Sequence, residues 1–154
     1  MWKAGAATLV ILALLSLRGV RWAYVAFIVL GLSYFPAKAG FQLDPHACEL
    51  LVGPRLALFS LTNYAHIVQF AVFFIISCAQ FTQPGVSTRT AFIRAALATI
   101  VMGALVELAE GMSGLGHCRL RDLIPDSAGA LLGAIAVLLW REVQQRVLRR
   151  RQAV

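Results

Sequence analysis

The sequence predicts an all-α, polytopic helical membrane bundle of four to five transmembrane helices, organised as a single domain over residues 1–154. Three observations carry this expectation. The chain is 60% hydrophobic and 14% charged, where a soluble domain averages about 45–50% apolar and about 25% charged residues. A chain of 154 residues has no core large enough to take up that excess, so lipid has to solvate much of it. Finally, the apolar residues gather into five runs, and arginines flank alternate connections between them.

The first run, 4–17, follows Trp2 and Lys3 and stops at Arg18 and Arg21. A basic residue before a short apolar stretch also suits a signal peptide, but "LLSLRGVRWA" has no small-x-small site in the right place. The segment is therefore expected to stay on the chain. The second run, 22–35, is expected to end at Pro36. Both fall short of the roughly 20 residues of a typical span. They are expected to form a tight hairpin borrowing flanking residues such as Trp22, or else the first run lies in the interface or re-enters. One helix through both is disfavoured, since Arg18 and Arg21 would each cost about 2.5–3.5 kcal/mol at mid-membrane.

A loop at 37–54 carries Lys38, Asp44, His46, Cys48 and Glu49. The third run, 55–81, is long enough to span, and "TQPGVSTRT" then turns the chain through Pro84-Gly85. The fourth run, 91–110, is interrupted by "GMSGLG". The fifth, 123–140, continues as a basic helical tail over 141–154 with Arg141, Arg146, Arg149, Arg150 and Arg151.

The formal net charge is +7. Because the excess sits beside an apolar helix, it reads as a cytoplasmic anchor near anionic lipid, and no nucleic-acid partner is expected. With the C-terminus cytoplasmic, the connections holding Arg18 and Arg21, and Arg89 and Arg94, also fall inside. The Cys48 loop and the connection before the fifth run fall outside. The expected location is a bacterial inner or plasma membrane.

On that topology three helices bring polar residues to one depth near the outer surface: Asn63 and His66, Glu107 and Glu110, Asp122 and Asp126. Glu107 and Glu110 are three apart and share a helix face. Asp122, Asp126, Gly129 and Gly133 follow an i, i+4, i+7, i+11 pattern on one face, with Asp122 a plausible N-cap and Pro125 in the first turn. Gly129 and Gly133 form G-x-x-x-G, which permits close helix packing. Compensation for the carboxylates is expected from Arg119 and Arg121, from a protonated His66 or His117, or from a carboxyl held neutral. Two readings follow: a polar plug that sets helix register, or a binding or catalytic pocket, the default for intramembrane ionisable groups.

These residues carry a resemblance. "NYAHIVQF" and "GALVELAEGMSGLGHCRLRDLIPDSAGALLG" resemble the signatures of VanZ-like membrane proteins over roughly 55–135, with a weaker likeness at "LGLSYFPAKAG". His66, Glu107, Arg119, Asp122 and Gly129 match the family pattern. Asn63 stands where Lys is usual, Glu110 where Gln is, and Asp126 where Asn is, so the site is more acidic here. The VanZ-like region covers about 22–140, and the run at 4–17 looks like an addition to a four-helix plan. The family is named for resistance to the glycopeptide teicoplanin. The resemblance implies a small cell-envelope protein that binds or acts on a lipid or cell-wall component, without supplying a reaction.

Cys48 and Cys118 are both placed outside, where oxidising conditions favour a disulfide. With His46 and His117 they also make a zinc set of irregular spacing, and unpaired thiols are the third possibility; no metal is assigned. Cys78 is expected to be packed. Phe70, Phe73, Phe74, Phe81 and Phe92 read as core or lipid-facing rather than as a pigment site. No phosphate-binding loop, dinucleotide fingerprint, nucleophile elbow or H-E-x-x-H zinc motif occurs, and no cofactor is assigned.

The first functional expectation is a pocket for an envelope ligand, with His66, Glu107 and Asp122 as ligand, cation or proton groups and Arg119 as a phosphate or carboxylate contact. Its partners would be membrane lipids. The rivals are an accessory subunit of a larger membrane complex, docking through small-residue helix faces, and a small lipid-modifying enzyme with a carboxyl as general base.

Overall fold

In the computed structural model, which describes residues 2–114 and 118–152, the five apolar runs become seven helices and no strand. They are α1 (Trp2–Leu17), α2 (Arg21–Leu32), α3 (Tyr34–Lys38), α4 (Pro54–Ser60), α5 (Tyr64–Phe81), α6 (Thr88–Ser113) and α7 (Leu123–Gln152). The 37–54 loop and the α6–α7 connection meet at an isolated backbone bridge between Glu49 and Arg119. Three stretches are long and apolar enough to cross a membrane: α5, α6 and Leu120–Gln152. The protein is thus a helical membrane protein.

Two boundaries differ from the sequence expectation. Pro36 does not end a helix at 35. Instead α2 stops at Leu32, and Pro36 enters the first turn of α3, where its missing N–H leaves no bond unmade. The run 55–81 is also broken at Leu61–Asn63. There the Ser60 and Thr62 hydroxyls donate back to the Ala57 and Phe59 carbonyls, at 2.8 and 2.7 Å, which closes α4. α5 then starts afresh with Asn63 at its N-cap position and His66 in its first turn.

α6 begins at Ser87, whose hydroxyl accepts the Thr90 amide at 3.1 Å. It ends at Gly114, held at φ +65, the left-handed geometry that glycine adopts most easily.

α5 is the central helix. Gly129 and Gly133 of α7 lie directly on its backbone: a Cβ on Gly129 would strike the Ile67 carbonyl and the Ala71 amide, and one on Gly133 the Ala71 carbonyl. On that side Phe74, Cys78, Ala95 and Ala130 are buried together, and the Phe74 and Phe92 rings meet edge to face at 5.7 Å. On the other side Phe70, Phe73 and Met102 pack under Phe27 and Tyr24 of α2. The Tyr24 hydroxyl reaches the Ser77 hydroxyl at 2.8 Å, which satisfies both polar groups inside the bundle. Cys78 is a free, buried thiol.

The bundle has two unlike ends. At one, the Gln80 amide donates to the Ser16 carbonyl, joining the ends of α5 and α1. There too Arg141 of α7 donates to Thr88 and Thr82, at 2.8 and 3.2 Å, with its guanidinium 5.7 Å from the Phe92 ring centroid. Beyond Arg141, the residues of α7 are exposed. At the other end the 37–54 loop folds over the terminus of α6. The Asp44 and His46 amides donate to the Met112 and Gly111 carbonyls at 3.1 and 2.9 Å, satisfying acceptors that a helix terminus leaves open.

Candidate functional site

The charged cluster is built on α5, α6 and α7 at the loop end. His66 lies in the first turn of α5, and its Nδ1 is 2.8 Å from Asp126 Oδ1 on α7. Asp126 is 2% exposed, and its Oδ2 has no hydrogen-bond partner among the described residues. This oxygen fits beside α6 only because position 103 is glycine, where a Cβ would come within 2.5 Å of it. Gly103 was not singled out from the sequence. The available signal is that it lies one turn before Glu107, on the same face of α6.

Glu107 is also buried. Its Oε2 accepts the backbone amide of Arg119 at 2.7 Å, and its Oε1 has no partner among the described residues. Asp122 and Glu107 both act electrostatically on His66 along with Asp126, so the three helices contribute to one field. Asp122 belongs to a single 3-10 turn, Leu120–Asp122, that leads into α7. It does not act as the expected side-chain cap; its backbone amide instead donates to the Arg119 carbonyl at 3.0 Å.

The two arginines do not compensate the membrane carboxylates. Both turn to Glu49 in the 37–54 loop: Arg121 Nη1 donates to Glu49 Oε1 at 3.0 Å, and Arg119 Nε is 3.4 Å from Oε2, an ion pair without a hydrogen bond. Arg119 touches the cluster through its backbone alone. Arg119, expected from the sequence as a phosphate or carboxylate contact, has its guanidinium beside Glu49 of the loop.

A disulfide between Cys48 and Cys118, with Cα atoms 4.6 Å apart, fastens this arrangement. The Glu49 amide donates to the Cys118 carbonyl at 2.8 Å and the Leu120 amide to the Glu49 carbonyl at 3.0 Å, so bond and bridge align the two loops. Gly111 makes room, since a Cβ there would come within 2.9 Å of Cys118 Cβ. The zinc alternative needed both thiols, and the disulfide consumes them. Its His46 binds the Asp44 carbonyl through Nδ1 at 2.8 Å, and its His117 lies outside the described residues.

Next to the cluster, between the α1–α2 hairpin and α5–α6, is a cavity of about 530 Å³. His66, Gln69 and Glu110 supply polar groups to it, and Phe27, Gly31 and Met102 belong to its apolar wall. Glu107 and Glu110 thus divide: Glu107 is enclosed in the cluster, and Glu110 lines the cavity. His66 belongs to both. With Nδ1 held by Asp126, its Nε2 is the ring nitrogen left to the cavity, where it can exchange a hydrogen bond or a proton.

Fold and site together define a helical membrane protein with a His–Asp pair, its aspartate buried, at the wall of a largely apolar cavity. No family model, curated protein or solved structure matches the chain.

Proposed function

We propose that this is a VanZ-like membrane protein of the cell envelope that holds an amphiphile, a lipid or lipid-linked envelope component, in the cavity beside His66. The observation that carries the reading is that His66, fixed by Asp126, lies in the wall of a cavity whose other side chains are mostly apolar. Apolar walls with a few placed polar groups are the usual composition of a small-molecule site. The experiment is mass measurement of the intact particle in mild detergent. The wild-type protein should retain a lipid, and Gly31→Leu, which fills the cavity near Met102, should lose most of it without unfolding. Equal retention by the variant would remove the cavity from the reading.

The reading includes four to five spans in a bacterial plasma membrane, with the C-terminus cytoplasmic. Two contacts support α2 as a crossing. Ser16 is bound at the Gln80 end of α5, and Asp44 and His46 at the opposite end of the bundle, so the chain between them traverses it. α1, at 16 residues, spans about 24 Å, short of a hydrocarbon core of about 30 Å. Arginines 18, 21 and 141 share one end, which supports a cytoplasmic face there. The disulfide at the other end supports an oxidising exterior. In intact cells, an impermeant thiol reagent should label Cys48 and Cys118 only after reduction. Labelling that requires membrane disruption would reverse the sidedness.

An accessory-subunit role is favoured by one feature. Phe41, Leu43, Leu50, Leu51, Leu58 and Phe59, on the 37–54 loop and α4, are each 69–73% exposed. The small-residue face is not that docking surface, because Gly129 and Gly133 are occupied by α5. The same mass measurement separates the two roles, as bound lipid or as bound protein.

A further inference from the structure

We propose that the exposed end of α7 is a docking site for a separate protein, and that this partner presents an acidic amphipathic helix. The site is at the end of the bundle opposite the cluster, so it stands or falls independently of what the cavity holds. Arg141 marks where α7 leaves the bundle, since its guanidinium donates to Thr82 and Thr88 beside the α5–α6 turn. The helix continues to Gln152, about 16 Å further on. No glycine or proline follows Gly133, so nothing in this stretch bends the helix back onto the membrane surface.

Two properties of the stretch define what fits it. Val143, Val147 and Leu148 fall at i, i+4 and i+5, with Trp140 one turn before them, and these side chains are 45–64% exposed. They form an apolar stripe on a helix that has left both the bundle and the hydrocarbon, the pattern by which amphipathic helices pair. Around the stripe the charge is basic. Glu142, the one carboxylate here, is engaged by Arg146 at 2.9 Å. Arg149, Arg150 and Arg151 have no ion pair among the described residues.

Charge selects among the occupants. A second copy would bring the same arginines against these, and every other side-chain carboxylate of these 154 residues lies at the loop end. Anionic lipid suits Arg141, but Arg149, Arg150 and Arg151 stand about 12–15 Å beyond it along the helix, past the Debye length of about 8 Å at physiological ionic strength. A nucleic-acid backbone would meet the arginines and leave the apolar stripe uncovered. A helix with an apolar face edged by glutamate or aspartate covers the stripe and pairs the arginines together, which is how charged flanks choose partners in paired helices.

The test uses the full-length protein in phosphatidylcholine nanodiscs, with empty discs as the baseline. The probe is a fluorescent helical peptide with leucine at the core heptad positions and glutamate at the flanking ones. Two controls replace its glutamates by lysine or its leucines by serine. By fluorescence anisotropy the acidic amphipathic peptide should bind roughly tenfold or more tightly than either control. Val143→Ser with Val147→Ser, and separately Arg149→Glu with Arg150→Glu, should each weaken it by a similar factor. The melting temperature should not change, because all four positions are exposed. Equal binding of the controls, or binding that survives either pair of substitutions, overturns the proposal. So do two other results obtained without peptide. Paired chains that separate on Val143→Ser with Val147→Ser would assign the face to a second copy. Protection of the last three arginines from trypsin on adding phosphatidylglycerol to the discs would assign it to the membrane.

Discussion

His66→Ala alone should destabilise the protein by about 3–5 kcal/mol, the usual result of removing one partner from a buried ion pair. The size follows from Asp126. It is 2% exposed, its Oδ2 already lacks a partner, and loss of the imidazole leaves Oδ1 in the same state. A neutral interhelical hydrogen bond in a membrane contributes much less, averaging about 0.6 kcal/mol in double-mutant cycles. The measurement therefore separates an ion pair from an ordinary polar contact. His66→Leu combined with Asp126→Leu should recover most of the loss, because replacing both members of a buried pair by apolar groups is often neutral. Denaturation in mild detergent of the wild type, both single variants and the pair gives the coupling. A loss below about 1 kcal/mol for His66→Ala would show that no buried charge is being compensated.

Gly129→Leu should be as damaging, through geometry rather than charge. Even the first added carbon would strike the Ile67 carbonyl and lie 3.0 Å from the Ala71 amide, and backbone cannot move aside as a side-chain tip can. Overpacking typically costs about 1–3 kcal/mol, and this site belongs at the upper end or beyond. Forcing α7 from α5 would also draw Asp126, one turn earlier on the same face, away from His66. Ala136→Leu adds a similar volume on an exposed stretch of α7 and should leave the melting temperature unchanged. If the two variants melt alike, the close approach of α5 and α7 is not what holds the bundle.

Much of the architecture is written along the chain. Apolar run length and arginine placement specify helices in lipid, because a backbone without water must bond within its own segment. The depth at which His66, Glu107 and Asp126 gather can be read by counting helices and their directions. The i, i+4, i+7, i+11 pattern marks the α7 face that meets α5. The break at Leu61–Asn63 was less legible: apolar content runs on through it, and the hydroxyls that close α4 are a weak signal beside that hydropathy.

Tertiary structure alone decided the pairing of charges. From the sequence, Arg119 and Arg121 are the nearest cations to the acidic cluster. In space they turn to Glu49, 72 residues before Arg121, because the disulfide and the backbone bridge lay the loop across the end of α6. The space for Asp126 is likewise a property of Gly103 on another helix, and the cavity of the fit between the α1–α2 hairpin and α5–α6. Periodicity assigns a residue to a face and a depth, since those are local properties of one helix. Which partner it meets depends on how separate elements pack, and that is set by close contacts between residues far apart in the chain.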